Sequence, residues 1–246
     1  MDKNIIEGRN PVIEALKAER EIDKILVSKG NLEGSIKKIT AMAKEKKIPV
    51  QYVDKNKLNQ ISMLGSHQGV IAYVAAYNYY EVEDILELAS NKSEDLFLII
   101  LDEITDPHNL GSIIRTVNAS GAHGIIIPKR RSVGLTATVA KTSAGAIEYV
   151  PVAKVTNLSR TIDYLKEKGV WVIGADMKGD KVHYDSDLTG NIALVIGSEG
   201  KGISRLVKEK CDFLVKLPMK GQVSSLNASV AASILMYEAL RQRQYR

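Results

Sequence analysis

A single cysteine, Cys211, leaves no intramolecular disulfide to form and no set of thiolates to hold a metal. The four histidines, His67, His108, His123 and His183, stand at no ligand spacing, so no metal is expected. Long apolar runs are also missing. The longest, such as residues 96–101, fall far short of a bilayer span, and no membrane association is expected. The opening MDKNIIEGR lacks the apolar centre of a signal peptide, which makes the cytoplasm the expected compartment. No G-x-G-x-x-G follows an apolar run and no G-x-x-x-x-G-K-[ST] occurs, so neither a dinucleotide fingerprint nor a P-loop is supported.

What is present suffices for a substantial core. The chain has 246 residues, 45% of them hydrophobic and 26% charged, enough for one large or two modest domains. Net charge is +5, which permits a nucleic-acid partner without requiring one. Its distribution is uneven: residues 1–80 carry 13 basic and 9 acidic groups, 81–95 carry one and six, and 96–246 carry 20 and 14. Two basic ends therefore flank an acidic join.

Residues 1–76 read as a small α/β domain. Asn10-Pro11 opens a helix, 22–27 is a strand, 35–46 a helix, 48–53 a strand, 55–60 a short helix and 69–76 the last strand. Residues 77–95 read as an acidic linker with a short helix. From 96 to 246, uninterrupted apolar strands alternate with helices, the signature of a parallel sheet covered on both faces. A crossover helix is expected at 136–144 and a strand at 149–152.

Three strand-to-helix junctions in this second half share one grammar. LFLIIL leads into DEITDPHNLG, NIALVIG into SEGKG, and FLVKL into PMKGQVSSLN ahead of a helix with Leu226, Val230, Ile234 and Tyr237 on one face. Small polar and charged groups concentrate there: Asn109, Arg115, Glu199, Ser225 and Asn227. A core does not need them, and in an open parallel sheet the carboxyl ends of the strands are where ligands bind. A well-capped βα turn would account for any one junction alone.

Asn109, Gly111 and Arg115 (N-x-G-x-x-x-R), G-S-E-G at 197–200 and L-P-M-x-G-x-x-S-S-L-N-x-S-V-A at 217–231 resemble the three motifs of the SpoU/TrmH RNA 2′-O-ribose methyltransferases. Within that family, the resemblance is nearest to the enzymes that methylate a guanosine of bacterial large-subunit ribosomal RNA. It implies a C-terminal parallel-sheet α/β-knot domain, a trefoil knot of the SPOUT type, behind a small N-terminal L30e-like domain that holds RNA. S-adenosylmethionine is the implied cofactor, with Gly197, Leu217 and Leu226 at its binding positions. Arg115, Asn109, Glu199, Ser225 and Asn227 match the catalytic positions, and a homodimer is implied. In the N-terminal domain, Arg9 before the first helix and His67-Gln68 before the last strand are candidate RNA contacts, although turn chemistry is the commoner reason for any one such residue, and the lysine-rich helix beside them would suit phosphates, although such a face is usually just solvated. The expected activity is methylation of a guanosine 2′-hydroxyl in 23S ribosomal RNA. A transfer-RNA ribose methyltransferase and a non-catalytic RNA-binding assembly factor are the alternatives.

Overall fold

The computed structural model describes residues 5–30, 34–222 and 225–244. They form two compact units. The first comprises Met1–Asn78 with Leu135–Tyr149, the second Tyr79–Gly134 with Val150–Arg246.

In the first unit, β1 (Ile5–Glu7), α1 (Arg9–Lys17), β2 (Ile22–Ser28), α2 (Ser35–Glu45), β3 (Val50–Val53), α3 (Lys55–Ile61) and β4 (Val70–Val74) follow in order. The sheet runs β1-β4-β2-β3, with β4 antiparallel to both neighbours and β3 parallel to β2 at the edge. Val12, Ala15 and Leu16 of α1 and Ile36, Ile39 and Ala43 of α2 are buried against Ile25, Val27, Val70 and Ala72, so one sheet face and two helical stripes make the core. The short strand β1 is not evident in the sequence, since three residues carry no readable alternation.

The second unit begins with α4 (Val82–Asn91), followed by β5 (Phe97–Asp102), α5 (Pro107–Ser120) and β6 (Gly124–Pro128). The acidic stretch is thus more than a linker: Val82, Ile85 and Ala89 are buried with Leu98, Ile100 and Ala153. The chain then leaves this unit. Residues 135–149, with α6 (Ala137–Thr142) and a 3-10 turn at Ala146–Glu148, pack with the first unit, where the sequence suggests a crossover helix of the second. Arg20 donates to Glu148 Oε1 at 3.0 Å, the Tyr77 hydroxyl donates to the same oxygen at 2.8 Å, and the Arg20 guanidinium lies 3.4 Å from the Tyr77 ring centre. Gly145 has φ +92° and passes so close to Glu14 that a Cβ would lie 2.4 Å from Glu14 Cβ, so only glycine fits.

The second unit resumes with β7 (Val152–Val155), α7 (Leu158–Glu167), β8 (Trp171–Ala175), β9 (Lys181–Val182), β10 (Ile192–Gly197), α8 (Arg205–Lys210), β11 (Phe213–Lys216) and α9 (Ala228–Gln244). β7 starts three residues later than the sequence suggests, because the 3-10 turn takes Ala146–Glu148. All pairings in the seven-stranded sheet β7-β6-β5-β10-β8-β11-β9 are parallel, as the apolar strands require. Among the described residues no helix is long and apolar enough to cross a membrane.

Candidate active site

The site grows from the adjacent strands β5 and β10. Gly197 pairs with Asp102 in register, so the two chains leave the sheet side by side. Asp102 is 4% exposed, and its Oδ2 accepts the Ser204 amide at 2.7 Å, which fixes the far end of the loop after β10. That loop turns back on itself: the Gly202 amide donates to the Ser198 carbonyl at 2.8 Å. A Cβ on Gly197 would sit 2.1 Å from the Gly202 carbonyl carbon and 2.2 Å from the Ile203 nitrogen, both backbone atoms that cannot move aside. Glycine here is a packing requirement of the loop.

Three side chains from three loops then meet. Asn109, in the first turn of α5 and only 7% exposed, donates through Nδ2 to Glu199 Oε1 at 3.1 Å. Asn227 donates through Nδ2 to Asn109 Oδ1 at 2.9 Å and also to Glu199 Oε1. Glu199 Oε1 further accepts the Ala228 amide at 3.3 Å, placing a carboxylate at the positive end of α9. Asn227 Oδ1 accepts from the Ser229 and Val230 amides at 3.0 and 3.3 Å, which makes it the N-cap of α9. With both its amide hydrogens and its oxygen engaged, Asn227 has no further donor to offer. The loops after β5, β10 and β11 are thereby tied into one surface.

Arg115, two turns further along α5, is exposed, and among the described residues it has no hydrogen bond or ion pair. Nothing joins it to Glu199, so Glu199 orients a loop and a helix start. Ser225 is exposed and makes no hydrogen bond among the described residues; its motif neighbours Val223 and Ser224 lie outside them. Below the site, burial raises the Asp176 carboxyl, but the ion pair with Lys208 and the Lys178 amide outweigh it and hold Asp176 below its ordinary value. Burial pushes the Cys211 thiol up to about 12, which makes it a packing group.

The residues matched to the cofactor lie around this cluster. Gly197 ends β10, and Leu217 and Leu226 are half-buried on either side of the loop after β11. Among the described residues the backbone of 218–222 makes no backbone–backbone hydrogen bond, and it runs between two apolar side chains. Apolar faces beside loop backbone fit an adenosine, whose ring needs stacking surface and whose edge needs hydrogen bonds.

In the first unit, Arg9 and Gln68 come together: the Arg9 amide donates to Gln68 Oε1 at 3.2 Å and Arg9 Nε to the Gln68 carbonyl at 3.1 Å. His67 differs from its neighbours. It is 4% exposed, Nε2 lies 2.9 Å from Asn59 Oδ1, and Nδ1 accepts the Gly69 amide at 3.0 Å. A buried ring with both nitrogens engaged shapes the turn that presents Gln68. Glu7, 2% exposed, does similar work by accepting the Met63 and Leu64 amides at 2.6 and 3.3 Å, a role that sequence reasoning misses because a carboxylate in a strand reads as solvent-facing. Arg243 also turns inward, donating to the carbonyls of Asp95 and Leu96 at 3.0 Å each; Arg246 lies outside the described residues.

An all-parallel sheet with polar loops gathered beyond the carboxyl ends of β5, β10 and β11 defines an open α/β domain of the small-ligand-binding class. The sequence model of the SpoU rRNA methylase family matches residues 96–237, and that for RNA 2′-O ribose methyltransferase substrate binding matches residues 5–80. The chain belongs to the SpoU/TrmH family of RNA methyltransferases. It is 56% identical over 236 residues to YacO of Bacillus subtilis, named as a TrmH family tRNA/rRNA methyltransferase, covering 96% of this chain and 94% of that one. The SpoU methyltransferase AviRb from Streptomyces viridochromogenes superposes with a TM-score of 0.82 at 26% identity, covering 98% and 90%, and has also been solved with S-adenosylmethionine, abbreviated AdoMet. The TrmH/SpoU tRNA modifying enzyme of A. aeolicus aligns with 61% of this chain and 76% of its own, at a TM-score of 0.55 and 28% identity.

Proposed function

We propose that this protein transfers a methyl group from S-adenosylmethionine to the 2′-hydroxyl of a guanosine ribose in large-subunit ribosomal RNA, as an enzyme of the RlmB type. The observation that carries it is the Asn109–Glu199–Asn227 cluster, which ties the three motif loops together at the carboxyl ends of β5, β10 and β11. The cofactor supplies an electrophilic methyl carbon on a positively charged sulfur. Gly197, Leu217, Leu226 and the loop backbone hold it, largely through uncharged groups. Asn109, Glu199 and Asn227 fix the loops, so the reacting atoms meet in line at little entropic cost.

Arg115 is the group for the substrate. A guanidinium is not a base at neutral pH, so its work is to bind. Exposed and unpaired among the described residues, it would grip an RNA phosphate next to the reacting ribose and stabilise negative charge on the 2′-oxygen as the proton passes to that phosphate, leaving S-adenosylhomocysteine as the other product. Ser225 stands exposed in the loop between β11 and α9. The first unit, L30e-like in this reading, presents Arg9 and Gln68 to the RNA. A trefoil knot in the last third of the chain belongs to the same reading; it is supported by β10 lying between β5 and β8 while the chain continues to β11 on the far side of β8. So do a homodimer and a cytoplasmic location.

A transfer-RNA target is the second reading, favoured by the words tRNA/rRNA in the description of the Bacillus subtilis relative. The test incubates unmodified ribosomal RNA and, separately, unmodified transfer RNA with protein and AdoMet. A methylated 2′-oxygen can no longer attack its phosphate, so the product is read as an alkali-resistant linkage. Resistance at one guanosine of large-subunit RNA is expected. A methyl group on a base, or resistance confined to transfer RNA, overturns the proposal.

A further inference from the structure

The first unit carries a second surface, on the opposite strand edge of its sheet from β1. Between Ser35 and Lys57 stand seven lysines against only Glu45 and Asp54, a surplus of five that equals the net charge of the whole chain. The rest of residues 1–80 carries six basic and seven acidic groups, so the positive charge of the first unit is concentrated on α2, β3 and the start of α3.

The same segment has a shape. Between α2 and the edge strand β3 lies an open groove of about 450 Å³ lined by Lys37, Ala41, Lys44, Ile48, Val50 and Tyr52. Its floor is apolar: Ile48 and Val50 are half-buried against the core of the unit. Alternation along β3 puts Tyr52 on the same face as Val50, where the valine is half-buried and Tyr52 is 49% exposed. Tyr52 makes no hydrogen bond, and Lys37 and Lys44 make no ion pair, among the described residues. An aromatic wall, an apolar floor and two unpaired cations at the rim match one chemistry in particular, an unstacked nucleobase with its flanking phosphates.

We propose that this groove binds single-stranded RNA, with a base stacked on Tyr52 and phosphates on Lys37 and Lys44. It is separate from the turn that carries Arg9 and Gln68. The groove then recognises an unpaired nucleotide near the methylation site, which favours RNA whose loops are open over continuous duplex. This inference rests on the reading of the first unit as the RNA-holding part.

The test uses the full-length protein and two fluorescent probes, a single-stranded oligoribonucleotide and the duplex of the same sequence. Tyr52→Ala should weaken single-strand binding about tenfold, as expected for the loss of one stacked base. Tyr52→Phe should restore it, and duplex binding should change less. Lys37→Ala with Lys44→Ala should flatten the salt dependence of single-strand binding. Melting temperature and AdoMet affinity should stay unchanged, because all three side chains lie at the surface. Unaltered binding by Tyr52→Ala, with Arg9→Ala weakening it, overturns the groove and leaves the first unit as an RNA holder. Unaltered binding by all these variants overturns both. Polyglutamate competing as well as RNA also overturns the proposal, because it would reduce the groove to a charged patch.

Discussion

Arg115 and the three-residue cluster divide the labour between substrate and scaffold, and substitutions should separate them. Arg115 has no partner among the described residues, so Arg115→Ala leaves every loop in place. Methyl transfer is expected to fall by two to three orders of magnitude, the usual range for removing a charge-stabilising donor, while AdoMet affinity stays within about tenfold. Asn227→Ala removes the bonds to Asn109 and Glu199 together with the α9 cap, and both quantities should suffer. Isothermal titration and single-turnover kinetics read the two effects, and near-normal turnover in Arg115→Ala would refute the assigned role. The sequence exposed these positions because polar residues at strand ends have no place in a core. It did not expose Asp102, whose hydrogen bond to the Ser204 amide spans 102 positions and leaves no local pattern. For His67 the sequence offers turn chemistry and an RNA contact side by side, and its burial, with both ring nitrogens engaged, shows the part it takes in the turn.

At the scale of elements, α9 is where periodicity misleads. The spacing of Leu226, Val230, Ile234 and Tyr237 predicts an inward face. Instead Ala228, Ala232, Leu235, Met236 and Ala239 are buried, against α5 and the sheet, while Val230, Ile234 and Tyr237 remain 47%, 39% and 51% exposed. The helix has apolar residues on two faces, and small alanines made the buried face the weaker signal. Large apolar side chains clustered on an exposed helix face mark a contact surface, so a second surface is expected to cover the outer stripe. In the proposed homodimer the cover is another copy of this chain. Val230→Glu with Ile234→Glu should then shift the protein from dimer to monomer in analytical ultracentrifugation, with no loss of helix content. A wild-type protein that sediments as a monomer at tens of micromolar would remove this part of the proposal. Most other elements were legible to within a residue or two, since strands of unbroken Ile, Leu and Val flanked by amphipathic helices leave little choice of fold.

For the whole molecule, the sequence suggests domains at 1–76 and 96–246 joined by a linker, whereas the compact units are Met1–Asn78 with Leu135–Tyr149 and Tyr79–Gly134 with Val150–Arg246. Residues 135–149 leave the second unit and pack with the first, which no local pattern records because a helix of six residues looks the same in either place. A protein cut to begin at Asp95 loses α4, whose Val82, Ile85 and Ala89 are at most 6% exposed; at about 1.5–3 kcal/mol for each large apolar side chain, that loss rivals the stability of an ordinary domain. Beginning at Tyr79 keeps α4 but strips the cover from Val139, Ala140 and Ile147. It also leaves Glu148 without Arg20 and Tyr77, so that segment loses the ion pair and hydrogen bond that hold it in the intact protein. Replacing 135–149 by a glycine-serine linker in the fragment 79–246 removes those liabilities together. Three fragments should therefore rank in order: 95–246 unfolded or aggregated, 79–246 folded but poorly soluble, and the linker version folded, soluble and able to bind AdoMet with an affinity near that of the intact protein. Thermal melts and cofactor titration check the ranking. If 95–246 melts as high as the linker version, α4 is dispensable and the second unit is not the one drawn by its core. If the linker version is folded yet binds no AdoMet, the three motif loops are insufficient, and the cofactor site proposed around Gly197, Leu217 and Leu226 is wrong.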